Sequence, residues 1–282
     1  MPLLASSDAV FDGERLFSQH QAALTLLQRL LADPAVQSLK WLDLACGKGQ
    51  ILAQLDENLN IAERAKIDYL GYDLDVEFGR LTEKRASTLG FAHSAVEVGE
   101  LSRFSEIIDP VRTFNFITLT NTIHEIAPTR LPGIIFDCIL KLSDEGSLFI
   151  YDMERLPSAE LGAVPWKPPE IQSILQALLR PTGVTKFVPP VGRWRHRLVA
   201  GWNTQIEKRH ILKESNQFSE HREAALAAAG ERINEVIHQR REACANALES
   251  LARFGSSTGN ENAEEIAFLY EYWALNRVLG GH

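Results

Sequence analysis

The seven residues Asp43-Leu44-Ala45-Cys46-Gly47-Lys48-Gly49 set small side chains at alternate positions behind a carboxylate. Small residues at 45, 47 and 49 let the backbone turn tightly and let a ligand approach without meeting Cβ atoms. The pattern follows a short apolar run, Trp41 to Ala45, and opens a helical pattern from Gln50. That is where open α/β sheets bind nucleotide-type ligands. Two phosphate cradles do not fit. A dinucleotide fingerprint starting at Gly47 needs glycine where Leu52 stands, and a Walker loop needs Ser or Thr where Gly49 stands. A second carboxylate, Asp73, ends Leu70-Gly71-Tyr72-Asp73, 24 residues after Gly49. An acid there can accept hydrogen bonds from a ribose diol, or cap the next helix. Asp75 caps equally well, which frees Asp73 for a ligand. Gly99-Glu100 follows a third strand pattern, where Glu100 is either a ligand contact or a helix-start acid. Asn121-Thr122-Ile123-His124-Glu125-Ile126 follows a fourth. His124 and Glu125 are candidates for catalytic proton chemistry, since imidazole titrates near neutral pH. Adjacent side chains point apart, so a positioning role is the other reading of His124.

These elements, in this order, resemble the class I S-adenosylmethionine-dependent methyltransferases over roughly residues 13–206. Ala45 departs from the family's usual glycine. S-adenosylmethionine carries no phosphate but has a sulfonium and an ammonium, so nearby carboxylates favour it. The resemblance implies a cofactor site of Asp43, Ala45, Gly47, Gly49, Asp73, Leu74, Glu100 and Asn121. Asp73 would hold the ribose, Leu74 would pack on the adenine and Glu100 would meet its amino group. It implies methyl transfer and leaves the acceptor open. A small molecule or protein side chain is the first expectation, RNA the second, and a catalytically silent binding subunit the third. The stretch after strand four lacks the D/N-P-P-Y of enzymes that methylate base amines, and no cysteine follows a proline as cytosine-C5 chemistry needs. There is no H-E-x-x-H and no clustered ligand spacing, so no metal is expected.

The elements that must position these residues alternate strand and helix. The expected fold class is therefore α/β, a doubly wound, seven-stranded, mostly parallel sheet with a helical C-terminal appendage. A helix is expected over Asp12 to Asp33, and strands at Trp41, Asp68, Ser94, Phe114 and Gly146. After a proline-rich loop holding Trp166 comes a helix from Glu170. The runs Val184–Val188 and Arg197–Ile206 then read as a hairpin, joined by Pro189 to Trp194. The cluster Arg193-Trp194-Arg195-His196-Arg197 is a candidate grip for phosphate or RNA, or a solvated hairpin tip. From Glu207 the chain reads as helical. A long helix over Phe218 to Phe254 is one that Gly230 would break, and Ile266, Leu269, Tyr270 and Trp273 share one side of a last helix. The expected division is 1–206 for the cofactor domain and 207–282 for the appendage, acting as a lid over the acceptor or as a dimer or partner interface.

Composition limits the alternatives. The net charge is −8 over 282 residues, and both the first 204 residues and the remainder are mildly acidic, which disfavours a general nucleic-acid binder. No apolar run reaches the roughly 20 residues of a membrane span. Three scattered cysteines without a C-x-x-C pair suit a reducing, cytoplasmic setting.

Overall fold

The computed structural model describes residues 17–156, 160–196, 199–254 and 261–280. Its elements are α1 (Phe17–Leu31), β1 (Leu39–Leu44), β2 (Ile67–Asp73), α2 (Val76–Thr88), β3 (His93–Val98), β4 (Phe114–Thr120), α3 (Leu131–Lys141), β5 (Leu142–Met153), α4 (Pro168–Leu179), β6 (Val191–His196), β7 (Val199–Glu207), α5 (Arg222–Phe254) and α6 (Glu261–Gly280). The strands form one seven-stranded sheet of order β3-β2-β1-β4-β5-β7-β6. Pairings β1–β2, β1–β4, β2–β3 and β4–β5 are parallel. The reversal of direction of travel at β1 and β4 is the switch point of a doubly wound sheet.

The chain divides into two compact units that are not consecutive in sequence. One comprises the residues through Thr120, Asp137–Tyr151 and Thr204–Lys213. The other comprises Asn121–Phe136, Asp152–Asn203 and the residues from Glu214 onward.

In the first unit, β1, β2 and β4 are buried almost throughout, as expected of parallel strands covered on both faces. β3, at the edge, is largely exposed. α1 buries Ala23, Leu24, Leu26, Leu27 and Leu31. The expected start of that helix, Asp12 to Leu16, lies outside the described residues. The helix expected from Gln50 is broken into single turns at Leu52–Gln54, Leu55–Asn58 and Ile61–Arg64. Asn60 causes the last break: its side chain accepts from the Glu63 amide while Glu63 accepts from the Asn60 amide, which starts a new helix.

In the second unit, Val184–Val188 is not a strand. The amides of Thr185, Lys186 and Phe187 all donate to the Glu214 carboxylate, at 2.9, 2.8 and 2.7 Å. These donors are satisfied by a side chain, so no ladder is needed, and Pro189-Pro190 supply none. The strand is β6, which begins at Val191 within the Pro189–Trp194 segment expected to be loop and runs on to His196. Trp166 anchors its loop: it is buried, and its carbonyl accepts from the indole of buried Trp202 at 2.8 Å.

α5 runs 33 residues without a break, about 50 Å at 1.5 Å per residue. Gly230 does not interrupt it. A single helical glycine costs about 1 kcal/mol, and buried Ala225, Ala229, Ile233, Val236 and Ile237 on either side outweigh that. α5 packs on α4 and α6. The buried Arg240 ties them together through Glu271 on α6, at 3.0 and 2.5 Å, and the Pro165 carbonyl, at 2.8 Å. The turn expected at Gly255 to Asn260 lies outside the described residues. Ile266, Leu269, Tyr270 and Trp273 do share a face of α6, and that face is exposed. Among the described residues no helix is long and apolar enough to cross a membrane.

An added Cβ at Gly230 meets nothing within 4 Å. Gly230→Ala is therefore expected to raise unfolding stability by up to about 1 kcal/mol, read as a higher urea midpoint at unchanged slope.

Candidate functional site

The candidate residues fall into two clusters, one in each unit. In the first unit, β1 delivers Asp43 and ends one residue later in the small-residue loop. Three of the loop's residues are left-handed: Ala45 at φ 51°, Gly47 at 53° and Gly49 at 73°. The turn is closed by the Gly49 amide donating to the Cys46 carbonyl at 2.9 Å. It is held from outside as well. Thr82 Oγ1 donates to the Gly47 carbonyl at 2.7 Å and Arg85 to the Gly49 carbonyl at 2.9 Å, both from α2. Cys46 is a buried thiol whose pKa is pushed up by desolvation and by Asp43 and Asp73, so it is an inert packing group.

Asp73 joins β2 to this loop. Its Oδ2 accepts from the Gly47 amide at 2.7 Å and its Oδ1 from the Asp75 amide at 2.9 Å. Asp75 itself caps α2, accepting from the Glu77 and Phe78 amides. Each Asp73 oxygen has made one bond and retains a second lone-pair direction for a hydroxyl donor. Leu74, next in sequence, is 69% exposed, an apolar side chain left in the open. Gly99 is required by Tyr72, whose hydroxyl lies 2.3 Å from where a Cβ would stand. That hydroxyl donates to the Glu100 carbonyl at 3.0 Å, setting the backbone of exposed Glu100.

Asp43 is differently placed. It is 2% exposed, with Oδ1 accepting from Thr118 Oγ1 at 2.6 Å and Oδ2 from the Tyr69 hydroxyl at 3.1 Å. The Trp41 indole donates to Thr118 Oγ1 at 2.8 Å, completing a buried chain across β1, β4 and β2. Desolvation pushes the Asp43 pKa up to about 7, against the two hydroxyl donors that favour the anion, and Asp73 adds like-charge repulsion. Both Asp43 oxygens are thus taken up inside the sheet, by Thr118 and Tyr69. Thr118 and Tyr69, which hold it, carried no signal in the sequence.

In the second unit, Asn121 is left-handed at φ 54°, and its Oδ1 is buried with no hydrogen-bond partner among the described residues. His124 is 3% exposed and clamped by Asp152, itself 1% exposed. The His124 amide donates to Asp152 Oδ2 and His124 Nδ1 meets Oδ1, both at 2.7 Å. The far nitrogen, Nε2, faces two further carboxylates, Glu160 at 3.3 Å and Glu125 at 3.8 Å. Burial alone would lower the His124 pKa, but the bonds to Asp152 and Glu160 and the charge of Glu125 carry it up to about 10. The neighbourhood is strongly anionic. Asp152 and Glu160 were missed because they lie far from His124 in sequence and join it only through the fold. The basic strand β6 presents Arg193 4.0 Å from Glu154, a solvent-exposed pairing, while Arg197 lies outside the described residues.

No protein-family model and no curated protein matches the chain. Solved structures do. The plantazolicin methyltransferase BpumL in complex with SAH superposes with a TM-score of 0.53 at 15% identity, covering 72% of this chain and 89% of that one. The same enzyme in complex with a pentazolic desmethylPZN analog and SAH gives 0.52 at 16% identity, covering 72% and 90%. With its strand order and its left-handed loop after β1, the chain has the fold of the class I S-adenosylmethionine-dependent methyltransferases.

Proposed function

We propose that the chain binds S-adenosylmethionine at the loop after β1 and transfers its methyl group to a small-molecule or protein acceptor. The observation that carries this reading is the loop itself: Gly47 and Gly49 at positive φ, fastened to Asp73, with Asp43 buried behind. A Cβ at Gly47 would stand 3.2 Å from Gln50 Oε1 in a backbone conformation that side chains rarely adopt, so the loop's shape favours glycine at 47. The bound cofactor supplies an electrophilic methyl group on a sulfonium; the protein supplies alignment and a dry pocket. Asp73 accepts from the ribose hydroxyls, Leu74 offers an apolar face to the adenine, and Glu100 meets its edge. Asn121, whose buried Oδ1 has no hydrogen-bond partner among the described residues, is a further candidate acceptor for a ligand donor. Asp43 contributes through charge rather than contact. His124, held by Asp152, and its neighbour Glu125 are the candidates for proton chemistry where the acceptor must lose a proton. The likeness to BpumL, crystallised with SAH and a desmethylPZN analog, supports this reading at the level of the fold.

Calorimetry with S-adenosylmethionine and SAH tests it. Gly47→Val is expected to abolish binding in a protein that still melts cooperatively. Normal binding by that variant would refute the loop assignment. Asp73→Ala is expected to weaken binding by about 1.5–3 kcal/mol, roughly 10- to 150-fold, for hydrogen bonds to a charged acceptor.

The raised pKa of Asp43 gives a pH signature. Its folded pKa, about 7, lies above its unfolded value near 3.8, so the folded state holds the proton more tightly. Its contribution to stability is complete below pH 3.8 and is lost as pH rises through 7. Urea unfolding of the ligand-free chain between pH 5 and 7.5 is expected to show this decline, and Asp43→Asn to flatten it. A cationic ligand favours the ionised carboxylate, so affinity for S-adenosylmethionine is expected to rise over the same interval. An Asp43→Asn variant with an unchanged pH profile would show that Asp43 does not titrate there.

A further inference from the structure

The second unit gathers a donor set that the methyl-transfer reading does not require. One nitrogen, His124 Nε2, and one carboxylate oxygen each from Glu125 and Glu160 lie within 4.8 Å of one another. Their spacing is informative. The Nε2 to oxygen separations are 3.3 Å to Glu160, a hydrogen bond, and 3.8 Å to Glu125, both of the order of the spacing between two ligands of one ion. Ligands bound about 2.1 Å from one ion at tetrahedral angles stand roughly 3.4 Å apart.

A second, independent observation concerns the other side of the ring. Nδ1 is held at 2.7 Å by Asp152, a carboxylate 1% exposed that is also fixed by the His124 and Met153 amides, each at 2.7 Å. A carboxylate gripping one imidazole nitrogen while the other faces a donor cluster is the outer-shell arrangement of metal-bound histidine. With Nδ1–H donating to Asp152, an ion that displaces the second ring proton would find Nε2 as its ligand atom. Three carboxylates face the one imidazole, so a dication that takes the place of the ring proton meets anionic ligands.

We propose that His124, Glu125 and Glu160 bind a divalent first-row transition ion, with Asp152 orienting His124. One imidazole and two carboxylates with no sulfur suit Mn²⁺ or Zn²⁺, whereas an all-oxygen set would suit Mg²⁺ or Ca²⁺. Three protein atoms leave at least one coordination position open, for water or for an oxygen or nitrogen atom of the acceptor. The sequence concealed the site because Glu160 lies on the loop after β5, remote from the His124-Glu125 pair.

The test titrates the full chain, freed of metal by chelator and dialysis, with MnCl₂ and ZnCl₂ in the absence of cofactor. Calorimetry and the loss of the free Mn²⁺ paramagnetic resonance signal read the binding. One site per chain is expected, with MgCl₂ and CaCl₂ binding at least tenfold more weakly. Glu125→Gln and Glu160→Gln remove exposed and half-buried charges, and each is expected to lower Mn²⁺ affinity at least tenfold in a protein with an unchanged melt. Asp152→Asn is expected to lower it 10- to 100-fold. Gly47→Val, which disables the proposed cofactor loop, is expected to keep full metal affinity, so failure of either reading is seen separately. Absence of binding by both ions, equal binding of Mg²⁺ and Mn²⁺, or unchanged affinity in a Glu125→Gln, Glu160→Gln double variant would each overturn the proposal.

Discussion

The hydrogen bond from the Gly47 amide to Asp73 Oδ2, 2.7 Å long, is the interaction on which the first cluster depends. A loop with three left-handed residues is a poor conformation for a free chain, and it needs outside restraint to persist. Asp73 supplies that restraint from the end of β2, while Thr82 and Arg85 supply it from α2. The parallel pairing of β1 with β2 places Leu44 opposite Tyr72, and so brings the two strand ends level. The sheet register is thus what allows a carboxylate distant in sequence to reach the loop amide. The same carboxylate is the proposed ribose acceptor, so shaping the cradle and binding its ligand fall to one side chain.

The second cluster uses the same device. Asp152, one residue beyond the last register pair of β5 with β4, accepts from the His124 amide and meets Nδ1 with its other oxygen. Backbone and ring are fixed together, which leaves Nε2 a single direction. In both clusters a carboxylate at a strand end holds a neighbouring loop by its backbone. Carboxylates suit this because each oxygen accepts strongly from an amide and keeps capacity for a second partner.

What the sequence disclosed was whatever depends on short spacing. The small-residue loop, the capping role of Asp75 and the alternation of strands and helices are local patterns, and all are present as read. What it hid depends on contacts across strands or between loops. Thr118 and Tyr69 around Asp43 belong to β4 and β2, and Glu160 belongs to a loop remote from His124. The misread elements have the same cause. Val184–Val188 has strand composition, but Glu214 takes its amides. Gly230 has a breaker's composition, but the apolar contacts on either side hold the helix through it. Local propensity is worth about 1 kcal/mol at such positions, and tertiary partners exceed it.

Ala45 and Asn121 are strained as well as polar-lined or tightly turned positions. Among the described residues they are the two non-glycine positions with positive φ, at 51° and 54°. A left-handed conformation costs an ordinary L-residue about 1–2 kcal/mol, somewhat less for asparagine. Such a cost persists only where the surroundings overdetermine the backbone, and such sites concentrate where a ligand must be met. Both residues were already marked as cofactor contacts by resemblance, Ala45 as a departure from glycine and Asn121 as the start of the stretch after β4. The methyl of Ala45 is tolerated because Asp73, Thr82 and Arg85 hold the loop around it. Asn121 keeps a buried, unpartnered oxygen that neither packing nor secondary structure explains. A ligand donor, as in the proposed cofactor reading, would satisfy that acceptor and account for the strain.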